Sequence, residues 1–94
     1  MTVNLSGYNA TPITSATTTQ IAAGTGVIAG FFVSSGTTPS VTIYDNTASS
    51  GTPILAAFTA PANGFYPFPG SFSTGLRVVT GGTTPNVTIL WAQA

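Results

Sequence analysis

Two side chains in this 94-residue sequence are ionised at neutral pH, Asp45 and Arg77, and histidine, cysteine, glutamate and lysine are absent. That inventory decides most of the chemistry. General acid–base catalysis would rest on Asp45 alone, and a carboxylate pair is impossible within one chain. Serine and threonine are plentiful, but no histidine or lysine stands by to activate one as a nucleophile. A zinc site lacks its ligands, and a calcium site built on Asp45, Asn46 and carbonyls would have a single carboxylate. The sequence therefore assigns no catalytic, cofactor-binding or metal-binding residue, and a non-enzymatic role is expected.

Asp45 has two other uses. At a strand end before Asn46-Thr47 it can accept backbone N–H bonds in an Asx-type turn. Alternatively it pairs with Arg77, an ion pair that contributes at most about 1 kcal/mol if exposed. The aromatic residues Tyr8, Tyr44, Phe65, Tyr66, Phe68 and Trp91 offer either core and edge packing or a stacking platform for sugars.

Zero net charge and 2% charged residues remove long-range repulsion between copies, so association into a homo-oligomer is expected. Phosphate-based binding to nucleic acid is excluded by the single arginine. No apolar run approaches a membrane span, and Met1-Thr2-Val3-Asn4 has no basic n-region, so neither a membrane nor a signal peptide is expected.

The elements that must position these residues are announced by a repeat. Gly36-Thr37-Thr38-Pro39-Ser40-Val41-Thr42-Ile43 returns 46 residues later as Gly82-Thr83-Thr84-Pro85-Asn86-Val87-Thr88-Ile89. Each copy follows an apolar run, Val27 to Val33 or Leu76 to Val79, which predicts strand, loop, strand: a repeated β-hairpin. The prolines push Thr38 and Thr84 toward extended or polyproline geometry. Aligned at this offset, Phe31 falls on Arg77, which predicts an outward-facing Phe31 on a contact surface.

Between the copies, Pro53 to Phe58 reads as a strand and Asn63-Gly64 as a hairpin turn. Phe65-Tyr66-Pro67-Phe68-Pro69, with two prolines, reads as an edge strand or an extended aromatic segment. Residues 1–20 read as an N-terminal arm or an edge strand, and residues 21–94 as the domain proper. About eight short strands with turns near every ten residues predict an all-β fold, a single antiparallel β-sandwich, jelly-roll-like rather than immunoglobulin-like.

Three stretches carry a resemblance: Val41-Thr42-Ile43-Tyr44-Asp45-Asn46 with its following Ser50-Gly51-Thr52, Ser73-Thr74-Gly75-Leu76-Arg77-Val78-Val79-Thr80, and the closing Val87-Thr88-Ile89. Over residues 21 to 93 the chain resembles small all-β virion proteins of tailed bacteriophages, cyanophages included, that decorate or cement the capsid. The Gly-Thr-Thr-Pro segments and Phe65 to Pro69 depart from that pattern. The resemblance implies a structural protein made in the host cytoplasm and placed on the outer capsid surface of the virion. It would be a trimer, bridging copies of the major capsid protein by non-covalent contacts and by strand or arm exchange. Phe31, Arg77, Tyr66, Phe68 and Asp45 are the interface candidates. A carbohydrate-binding β-sandwich, or a fibre or adhesin domain, is the alternative.

Overall fold

The computed structural model describes residues 8–93, with the side chains of 35–37 and 84 left aside. Six strands form it: β1 (Asn9–Ile13), β2 (Thr18–Ala23), β3 (Gly26–Asp45), β4 (Leu55–Thr59), β5 (Gly64–Phe72) and β6 (Gly75–Gln93). Every pairing is antiparallel. Two strands are far longer than the rest, at 20 and 19 residues, and each serves two sheets. The first half of β3 and the second half of β6 lie side by side between β5 and β1. The second half of β3 and the first half of β6 lie between β4 and β2. Sheet I is thus β5-β3-β6-β1 and sheet II is β4-β3-β6-β2, two four-stranded layers packed as a β-sandwich. The eight strand passages foreseen from turn spacing are made by six strands.

The repeated phrase is not a pair of hairpin loops. Both copies lie within long strands, at the corner where β3 and β6 leave one sheet for the other. They also pair with each other there: Thr37 is opposite Thr83, its own repeat partner. Two copies of one phrase meeting antiparallel define a local two-fold axis through the corner. That axis relates β3 to β6, β4 to β1 and β5 to β2. Past the corner, Pro39, Val41 and Ile43 and their counterparts Pro85, Val87 and Ile89 are all buried, matched inner rows with the period of two that pleating imposes.

The bend has a local cost. Thr38 takes φ 43°, the left-handed region that a β-branched residue adopts only when its surroundings compel it. The extended geometry expected of a residue before proline yields to the turn between sheets. Asn63-Gly64 is likewise not a hairpin: β4 belongs to sheet II and β5 to sheet I, so this turn crosses the sandwich.

The core lies between the sheets. Ile28, Phe31 and Val33 of β3 face Val41, Ile43, Leu76 and Val78 of the other layer, joined by Phe72 from β5, and all of them are buried. Thr80 is the one buried polar residue described; its hydroxyl donates to the Ser15 carbonyl and lies within bonding distance of the Thr17 N–H. Asn9–Ile13 is an edge strand of sheet I, and β2 runs through position 20. The first seven residues of the expected arm lie outside the described residues.

Candidate functional site: an apolar outer face and an aromatic cleft

Phe31 is 2% exposed, which corrects the expectation that it faces outward. The reason is one residue of register. Phe31 pairs with Ile89, and Val78 pairs with Ile43; Ile43 and Ile89 are repeat partners, so the true counterpart of Phe31 is Val78. The first copy has one residue more between this point and the shared phrase, taken up as an irregularity around Ser34 and Ser35. With a side-chain period of two, a slip of one reverses the face. The residue that points outward is Phe32, 43% exposed, opposite Phe65, 47% exposed.

The two outer faces stand on related scaffolds and carry opposite chemistry. Across sheet I runs a row of Phe65, Phe32, Thr88 and Pro12, followed by a row of Pro67, Gly30, Leu90 and Ala10. Sheet II, through the two-fold axis, shows Thr18, Val79 and Thr42, then Gln20, Arg77 and Tyr44. Threonine 88 is the single polar side chain in the two rows of sheet I, and no charge is present. Gly30 is required where it stands: a Cβ there would meet the Tyr66 carbonyl oxygen at 2.4 Å and the Phe65 ring at 2.9 Å. The glycine lets the Phe65 ring lie on the sheet.

Arg77 stands on the polar face, half-buried. Its Nε donates to Ser49 Oγ at 2.7 Å, and one terminal nitrogen donates to Gln20 Oε1 at 2.9 Å and the Thr47 carbonyl at 3.3 Å. It fastens the β3–β4 loop to sheet II. No ion pair with Asp45 forms. Nor does Asp45 cap its own turn, a part taken by Asn46, whose Oδ1 accepts from the Thr47 N–H. Instead the Asp45 carboxylate accepts from the backbone N–H groups of Ser73, Thr74 and Gly75 and from the Ser73 hydroxyl, at 2.8–3.3 Å. It closes the β5–β6 turn. Desolvation pushes its pKa up, but the N–H bonds from Thr74, Ser73 and Gly75 and the Ser73 hydroxyl outweigh that and hold it below the ordinary 3.8. Both ionised side chains are therefore occupied in holding turns.

Tyr66 and Phe68 lie inward on β5 and line a cleft that opens between the edges of β4 and β5. Its walls are Phe31, Leu55, Phe58, Tyr66, Pro67 and Phe68, around a volume of about 140 Å³. Phe31 stacks on Tyr66 at 5.5 Å, and Phe58 meets both rings edge-on, at 6.1 and 5.3 Å. The Tyr66 hydroxyl donates to the Ala62 carbonyl and accepts from the Ala62 N–H, which turns it away from the cleft. The aromatic residues do not share one surface. Tyr44 is on the outer face of sheet II, Phe65 on that of sheet I, and Trp91 packs against the core with Nε1 bonded to Thr11 Oγ1 at 2.9 Å.

Among the described residues, all four sheet edges are blunted. β1 carries Pro12 and β5 carries Pro67 and Pro69, while β2 and β4 each contain a register shift, at Ile21 and within Ala56-Ala57. Proline and bulges discourage further strand pairing. Phe32, Pro67, Leu90, Leu55 and Phe58 were not singled out by sequence reasoning. A one-residue gap in the repeat alignment, Ser34-Ser35-Gly36 against Gly81-Gly82, is the signal that finds Phe32. No protein-family model matches the chain, and no curated protein sequence does either.

Proposed function

We infer that this is a structural protein that works by association through the outer face of sheet I. One observation carries the reading: the two-fold relation places Phe65, Phe32 and Pro67 where the other face has Thr18, Val79 and Gln20. Solvation alone gives no reason for two large exposed rings on one side of a chain whose other side carries Thr18, Thr42, Gln20 and Arg77, and clustered exposed apolar residues mark contact surfaces. Neutrality favours repeated, closely spaced copies.

The resemblance to phage decoration proteins gives this reading its context: an oligomer, a trimer in the first instance, on the outer surface of a capsid, bridging major capsid protein subunits, with the strands in a jelly-roll-like order. Many weak contacts on a repeating lattice gain strength by avidity. The blunted edges favour contact through side chains rather than strand exchange. The alternative carbohydrate-binding reading draws no support from rings spread over two outer faces and the core.

Sedimentation analysis of the wild type and of the F32S/F65S double variant tests the reading, together with cosedimentation of each with assembled phage heads. Wild-type protein is expected to be oligomeric and to pellet with heads, and the double variant to lose both properties while keeping its fold. A wild-type chain that is strictly monomeric and ignores heads would overturn it.

A further inference from the structure

We propose that the cleft between β4 and β5 is a second, separate binding site, which receives one aromatic side chain presented by a partner polypeptide. It does not rest on the role given to the outer face of sheet I. Three observations carry it. The volume, about 140 Å³, suits one ring, since an apolar cavity of about 150 Å³ holds benzene. Six apolar or aromatic residues form the walls, and the one side-chain hydroxyl among them is engaged twice by Ala62, so no side chain in the cleft is left to donate to a sugar hydroxyl or to pair with a charge. Phe31, Tyr66 and Phe58 already stand in stacked and edge-on pairs, and a fourth ring extends that arrangement with the geometry aromatic rings prefer.

The two-fold axis again supplies the comparison. Phe31, Tyr66 and Phe58 correspond through their pairing partners to Val78, Thr19 and Ile13. The scaffold itself needs no rings at these places; they occur on one side only. The Tyr66–Ala62 bonds fix the ring before any partner arrives, which lowers the ordering cost of binding. Because Pro67 and Pro69 blunt β5 and Ala56-Ala57 bulges β4, the partner inserts a side chain and does not add a strand.

The test is a titration of the full-length protein, followed by NMR on the Leu55 methyl groups and the Phe58 and Tyr66 rings. The probes are N-acetylphenylalaninamide, N-acetylglutaminamide, methyl glucoside and toluene. Saturable shifts with the phenylalanine amide, none with the glutamine amide or the glucoside, and about tenfold weaker binding to Leu55→Phe, which fills the cleft, are the expected results. Should Leu55→Phe lose the native spectrum, the wild-type titration decides alone. Binding of toluene without the amide would overturn the proposal, because the cleft would then be closed to a ring borne on a backbone. So would no saturable shift at all. Shifts of the same signals on simple dilution would assign the cleft to a second copy of this chain and overturn a separate partner.

Discussion

Gly30 and Arg77 occupy the same place in the two halves of the sandwich. Gly30 pairs with Leu90 and Arg77 with Tyr44, and Leu90 and Tyr44 are themselves 46 residues apart. One face uses the position to admit the Phe65 ring, the other to hold the chain's single arginine over a loop. The two faces differ on a shared frame.

Phe31 and Phe32 are neighbours in sequence with opposite surroundings. Phe31→Ala is expected to destabilise by about 3–5 kcal/mol, as for a ring removed from a packed core. Phe32→Ala is expected to change stability by no more than about 0.5–1 kcal/mol and to weaken self-association instead. Urea unfolding of both variants, with sedimentation of the second, checks the pair; similar losses of stability would contradict the register described above.

Thr38 is the residue whose backbone bears the bend between sheets. Replacing it with asparagine, which tolerates the left-handed region better, is expected to raise stability by about 1 kcal/mol. A chemical denaturation midpoint that falls in Thr38→Asn would show that the threonine side chain contributes more than its strain costs.

Asp45 predicts an acid limb. Its carboxyl has a lowered pKa in the folded protein and the ordinary 3.8 when unfolded. The unfolded chain therefore takes up the proton first, and the stabilisation is complete above about pH 5 and is lost as pH falls through the lower, folded value. Asp45→Asn is expected to cost about 1–2 kcal/mol at neutral pH and to flatten that limb. Thermal melts of both proteins between neutral and strongly acidic pH measure it.

Arg77 acts on the β3–β4 loop rather than on Asp45. Arg77→Met keeps much of the apolar stem but removes the bonds to Ser49, Thr47 and Gln20. Faster proteolytic nicking between Asn46 and Thr52, with little change in global stability, is the expected outcome. Unchanged cleavage would mean the loop is held by other contacts, such as the Asn46 side chain on Ser50.

Much of the fold was legible because it rests on local rules. Apolar runs and turn signals gave the strands, and the prolines of β5 marked an edge. What stayed hidden was non-local. A Gly-Thr-Thr-Pro segment reads equally as a hairpin turn or as a corner in a continuous strand, and only its pairing with the other copy separates the two. The outer face was missed for a related reason: an ungapped repeat set Phe31 on Arg77, and one extra serine was enough to invert the face. Asp45 was legible as a turn-capping carboxylate, but the turn it caps lies 28 to 30 residues away in sequence, beyond any local pattern.

The long strands β3 and β6 have a mechanical consequence. In a sandwich of short strands, two layers are held together by dispersion contacts and connecting loops, and shear can slide one over the other. Here two continuous backbones run from one layer into the other, side by side, through a corner where they are paired. A load applied to the Phe32 face passes into sheet II along covalent chain, and the layers cannot slip without first breaking the β3–β6 ladder that both of them share.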